Sequence, residues 1–187
     1  MPGLKFRVLL DSEKKEEIFR DILISDTDNF ESLYKAILKA FNFKGDQMAS
    51  FYVSNDDWDK GHEINLMDMT YDDDSVDAPA ATMKSAIIKN FLEEPDQKFI
   101  LVYDFMRMWI FLVELIGFDR NEPETPELLL SMGTAPSEDS RKIMDDELFA
   151  SNDEDSLIDE DEDDLGLDEF DDDYSEDDLT DFNEYEY

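Results

Sequence analysis

The 187-residue chain has no cysteine and a single histidine, His62. The first absence removes disulfides, thiolate nucleophiles and Cys-based zinc sites. The second leaves His62 with no thiol to activate and no second imidazole with which to share a metal, and it reads as a solvent-side strand residue. Basic side chains are also scarce, with 16 Lys and Arg against 52 Asp and Glu, a net charge of −36. The six glycines form no GxGxxG, GxxxxGK[ST] or GxSxG pattern, so no known backbone cradle for a nucleotide and no nucleophile elbow is present. Long apolar runs are nearly missing. The one candidate, the 20 residues from Phe99 to Phe118, holds Asp104, Arg107 and Glu114. Each charge would cost on the order of 2.5 to 3.5 kcal/mol at membrane depth, so two strands explain the run better than a membrane span.

The charge that is present is concentrated. The last 45 residues, Ile143 to Tyr187, contain 23 Asp and Glu and no Lys or Arg. From Ser137 onward there are 25 acids and 2 bases, which divides −36 into −23 on 51 residues and −13 on the 136 before them. Nucleic-acid binding draws most of its free energy from Lys and Arg displacing counterions, so direct binding is disfavoured for tail and body alike. Anionic membrane surfaces are disfavoured for the same reason. Basic proteins, metal cations or no partner at all remain for the tail. The absence of cysteine is compatible with a reducing cytosol and the N-terminus carries no signal-peptide pattern, so a cytoplasmic location is expected.

The body, about 136 residues, suffices for one domain with its own core. Leu4 to Leu10 and Glu16 to Ser25 read as adjacent strands joined across DSEKK. Phe30, Leu33, Tyr34, Ile37, Leu38 and Phe41 form one apolar stripe at helical spacing, with Asp28 and Glu31 as a capping box and Gly45 just past the end. Met48 to Ser54 and His62 to Leu66 read as two more strands. Met67 to Ala80 reads as an acidic loop, and Met83 to Leu92, apolar at 83, 87, 88, 91 and 92, as a second helix ended by Pro95. Lys98 to Asp104 and Met108 to Ile116 are apolar on both faces and belong at the centre of a sheet, linked by a hairpin. Leu128 to Met132 reads as a last edge strand. The expected fold is therefore α+β: a single domain over residues 1–140 with a mixed, curved sheet and helices packed on it, followed over 141–187 by a disordered acidic tail.

The segment from Phe99 to Leu115 resembles the signature of the plasmid pRiA4b ORF-3-like family through Tyr103, Asp104, Phe105, Trp109 and Glu114. Phe41-Asn42-Phe43 and the stretch from Ser131 to Asp139 are similar to two further family segments, so the resemblance spans about Lys5 to Asp139. It implies an α+β fold with a mixed curved sheet, in a group of mobile-element passenger-type proteins without an established activity. The family's Gly-Asp turn is replaced here by Met106-Arg107-Met108. Its paired histidines are replaced by Met48 to Phe51, so no metal or acid-base role carries over.

Tyr103, Asp104, Phe105, Arg107 and Trp109 gather at one hairpin end. Either the aromatics are core and Asp104 shapes the turn, or the group is a recognition rim of opposite charges on an aromatic floor. Asp161, Asp163, Gly166 and Asp172 follow an EF-hand count, but Leu165 and a terminal Asp break it, and no metal or cofactor is expected. The tail intersperses apolar residues among its acids, and Leu148, Phe149, Leu157, Ile158, Phe170, Tyr174, Phe182 and Tyr185 are its candidate anchors. The reading is a non-enzymatic interaction module whose domain and acidic, aromatic tail bind a basic protein. One alternative is a mobile-element accessory protein whose domain contacts nucleic acid under the tail's control. The other is a carboxylate-based enzyme, for which a close pair of acids would be a weak sign in so acidic a chain.

Overall fold

The computed structural model describes residues 2–68 and 81–143. Their fold is α+β, a seven-stranded sheet with one α-helix laid on it. The strands are β1 (Gly3–Leu10), β2 (Phe19–Ser25), β3 (Ala49–Ser54), β4 (Glu63–Asn65), β5 (Lys98–Tyr103), β6 (Trp109–Asp119) and β7 (Glu127–Met132), and the helix, α1, is Phe30–Phe41. They are ordered β4-β3-β5-β6-β1-β2-β7. Every pairing between strands is antiparallel, where a mixed sheet was expected. The connections explain the difference, because short links join β1 to β2, β3 to β4 and β5 to β6, whereas parallel neighbours need long crossovers.

The two strands with apolar side chains on both faces, β5 and β6, occupy the third and fourth places of seven, as their composition requires. The 20-residue apolar run from Phe99 to Phe118 is thus a hairpin and no span. Among the described residues no helix is long and apolar enough to cross a membrane. Leu4, Phe6 and Val8 of β1, Phe99, Leu101 and Tyr103 of β5 and Phe111, Val113 and Leu115 of β6 face one way, toward α1, and are fully buried with its Phe30, Leu33, Ile37 and Phe41. Phe30 lies at the middle of this core, with edge-to-face contacts to Phe51, Phe91 and Phe99 at centroid distances of 5.1 to 5.4 Å.

Two local expectations are corrected. The cap of α1 is Asn29, whose side chain accepts the amide of Ser32 at 2.9 Å, one residue later than the box expected at Asp28. The helix stops at Asn42, which takes a left-handed conformation at φ 60° so that Phe43 N–H reaches the Leu38 carbonyl; Gly45 lies beyond that stop. The second helix, expected over Met83 to Leu92, is instead an irregular segment ending in a 3-10 turn, Ile88–Phe91. Its backbone has other partners. The carbonyls of Ala86 and Met83 accept from Phe30 and Glu31, and Met83 N–H donates to Asn65. The apolar spacing at 83 and 88 therefore reflects burial over the start of α1, since those carbonyls complete the amides that a helix N-terminus leaves open.

Candidate functional site

The short hairpin turn between β5 and β6 brings together Tyr103, Asp104, Phe105, Arg107 and Trp109, while Glu114 lies at the far end of the hairpin, opposite Lys98. Tyr103 and Trp109 pair directly across the two strands on the core face and are 0% and 2% exposed. Asp104, 1% exposed, takes a left-handed conformation at φ 57°. Its carboxylate accepts the amides of Met106 and Arg107 at 3.1 and 3.2 Å and pairs with the Arg107 guanidinium at 3.2 Å. The carboxylate thus serves as the turn's internal template. Phe105 is the signature residue left in solvent, beside Met106. The geometry is that of core aromatics around a turn-shaping acid.

These same side chains close on a segment further along the chain. The Tyr103 hydroxyl donates to the Glu138 carboxylate at 2.6 Å and accepts Gly45 N–H at 3.0 Å. The other Glu138 oxygen accepts Lys44 N–H at 2.8 Å, and the Trp109 indole donates to the Glu138 carbonyl at 3.1 Å. Arg141 then stacks on Trp109 at 4.4 Å, its guanidinium donates to the Met108 carbonyl, and its own carbonyl accepts from Arg107. The signature is therefore a clasp that holds residues 138–141 on the domain just before the acidic run. Burial and the Glu138 carboxylate push the Tyr103 phenol well above its ordinary range. No sequence motif singles out Glu138. Its place in the family-like stretch from Ser131 to Asp139 was the available signal for a structural role.

Among the described residues, depressions open on the surface at two places of interest. One, of about 210 Å³, lies on the sheet face opposite α1 among Arg7, Leu9, Phe19, Trp58, Leu112 and Glu114. Its lining cation, Arg7, and the nearby Lys98 are already engaged. Arg7 holds Asp21 through two bonds of 2.8 Å and stacks on Phe19 at 4.4 Å, while Lys98 pairs with Asp56 at 2.7 Å and lies 3.8 Å from Glu114. Register puts Lys98, Glu114, Arg7 and Asp21 side by side across four strands, a row of alternating charge. The other depression, of about 610 Å³, lies beside the end of α1 and is lined by Tyr34, Lys35, Lys39, Phe43, Lys44 and Gly45.

Among the described residues, no group of three or more His, Cys, Asp or Glu side chains is placed to hold a metal. The buried acids Asp21, Asp104 and Glu138 each satisfy an Arg, a backbone amide or a Tyr. His62 is exposed and stacks on Phe91 at 6.1 Å. Residues 144–187 lie outside the described residues, and with them the tail expected to be disordered and its candidate anchors Leu148, Phe149, Leu157, Ile158, Phe170, Tyr174, Phe182 and Tyr185.

The family model described as plasmid pRiA4b ORF-3-like protein matches residues 2–180, nearly the whole chain, and the chain belongs to that family. Among solved structures it is similar to MM3350 from Methanosarcina mazei Go1, a protein of unknown function, at 21% identity over 80% of each chain with a TM-score of 0.60. That likeness is one of fold. No curated protein matches the chain.

Proposed function

We propose that this plasmid pRiA4b ORF-3-like protein is a non-enzymatic interaction module in which a rigid α+β domain presents an acidic, aromatic tail to a basic protein. The observation that carries the reading is the clasp. The family-signature residues Tyr103 and Trp109, with Arg107 of the turn between them, bind the chain at Glu138 and Arg141, immediately before a stretch of 45 residues with 23 acids and no base. A root fixed on a folded body gives a polyanion a defined origin, so a partner held by the tail also meets the domain at high effective concentration. Acids steer a cationic surface over distances of about a Debye length, roughly 8 Å at physiological salt. The interspersed Leu, Phe and Tyr residues then supply contacts that charge alone does not.

Affinity capture from the host's extract tests this, with the full chain compared against a chain ending at Ile143. The expected result is a set of basic proteins retained at low salt by the full chain, released as salt rises, and absent from the shortened one. Identical sets on both chains would refute a tail-centred function. A second reading is favoured by one observation, the gathering of Lys35, Lys39 and Lys44 around the depression beside α1: the domain contacts nucleic acid and the tail regulates it. It requires the chain ending at Ile143 to shift duplex DNA in a low-salt electrophoretic assay, and an unshifted duplex rejects it.

A further inference from the structure

The two edges of the sheet are finished differently. At one end β4 is three residues long, and the segment after it covers its outer side: Asn65 donates to the Ala81 carbonyl and accepts Met83 N–H, in a parallel bridge at Thr82. At the other end β7, Glu-Leu-Leu-Leu-Ser-Met, pairs with β2 on one side and with no described residue on the other. All six of its residues are exposed. Leu128, Leu129, Leu130 and Met132 stand between 44% and 52% open. Soluble proteins blunt such edges with Lys, Pro or a cover; β7 has none of these, and its one charge is Glu127.

The edge is held firmly nonetheless. Arg20 of β2, buried against Phe41 at 4.8 Å, donates to the carbonyls of Met132 and Gly133 and to Ala40 at the end of α1. Gly133 has φ 77°, and a Cβ there would stand 2.9 Å from the Glu17 carbonyl, so the turn that ends β7 requires glycine. The apolar strand is thus fixed in place, with no described residue paired to its outer backbone.

We propose that β7 is an augmentation edge, on which an extended segment of a basic partner protein with alternating apolar and cationic side chains adds as a further strand. The open row of amides and carbonyls selects an extended backbone over a helix, and the leucines select apolar side chains. Charge selects the sign. The loop entering β7, residues 120–126, holds Glu122 and Glu124 against Arg120, with Glu127 at its end, on a body at −13. A second copy would bring one −36 chain against another, which like-charge repulsion opposes. The proposal rests on the basic-partner reading above and names the surface of the domain that the partner meets.

Amide hydrogen exchange on the full chain tests it, with two decapeptide probes of equal charge: alternating lysine and valine, and alternating lysine and glycine. The lysine–valine probe is expected to slow exchange of the outward amides of β7 by about tenfold or more, as strand pairing does, and the lysine–glycine probe to leave them unchanged. Leu130→Lys places a repelling charge on an exposed position, so the fold is kept, as its unchanged melting curve will show, and protection by lysine–valine is lost. Protection that survives Leu130→Lys overturns the proposal. Binding of both probes without protection of β7 overturns the edge and leaves the tail reading standing. No binding of either probe at low salt overturns both. Protection of β7 that grows with protein concentration and without peptide assigns the edge to a second copy and also overturns the proposal.

Discussion

Tyr34 and Tyr103 lie 6.4 Å apart, ring to ring, in the same core, yet their hydroxyls have opposite circumstances. Tyr103 donates to Glu138, while the Tyr34 hydroxyl is buried with no hydrogen-bond partner among the described residues. Removing one half of a buried bond to a charged group costs more than removing an unpartnered hydroxyl. Tyr103→Phe should therefore destabilise by about 2 kcal/mol, and Tyr34→Phe should be neutral or stabilise by up to about 1 kcal/mol, in urea denaturation. Burial, with Asp46 and Glu138 nearby, pushes the Tyr34 phenol up to about 12 from 10.0. The folded state then keeps this proton to a higher pH than the unfolded chain does. The resulting stability is complete below pH 10 and falls as pH climbs toward 12. Tyr34→Phe should flatten that alkaline decline, as melting temperatures across the range will report.

Strain is equally local. Met108 takes φ 55° and Trp58 φ 59°, left-handed conformations that cost a residue with a bulky side chain on the order of 1 to 3 kcal/mol. Met108→Gly relieves that cost and gives back part of it as unfolded-state entropy. The expected gain is about 1 kcal/mol, read as a raised denaturation midpoint. None of this was legible in the sequence, because a left-handed methionine has no compositional sign. The core or rim alternatives for Tyr103 and Trp109 were equally open, since an aromatic in a hairpin serves either place and only the position of Glu138 decides.

Among the elements, the apolar helix stripe and the two central strands were readable because their periodicities leave one arrangement that buries them. The segment from Met83 to Leu92 carries apolar residues at helical spacing without forming a helix, because that spacing serves burial of Met83 and Ile88 over the start of α1. In its place its carbonyls complete the start of α1 alongside Asn29. The two parts should separate experimentally. Asn29→Ala removes one cap and should cost about 1 kcal/mol. Met83→Ala opens a cavity in the core over the helix start and should cost about 2 to 5 kcal/mol. Both are read by chemical denaturation, and equal costs would contradict the assignment of Met83 to the core. The edge strand β7 was legible as a strand, but its open outer side was not, because the sequence does not say where a sheet ends.

For the whole molecule, composition speaks more clearly than any motif. A chain at −36 with a body at −13 directs the search for partners toward cations, and membership of a family without a described activity adds no chemistry to that. What the structure adds is the arrangement: a signature that clasps the root of the tail, and an exposed apolar edge strand. In the proposed function, affinity for a basic partner resides in the tail and is electrostatic in its first contact. Titration calorimetry of the full chain and of the chain ending at Ile143 with the lysine–valine decapeptide, across a range of salt, tests it most directly. The full chain is expected to bind at least about tenfold more tightly at low salt, a gap of roughly 1.4 kcal/mol that closes as salt rises. Equal affinity of the two chains, or a gap that salt leaves unchanged, would contradict it.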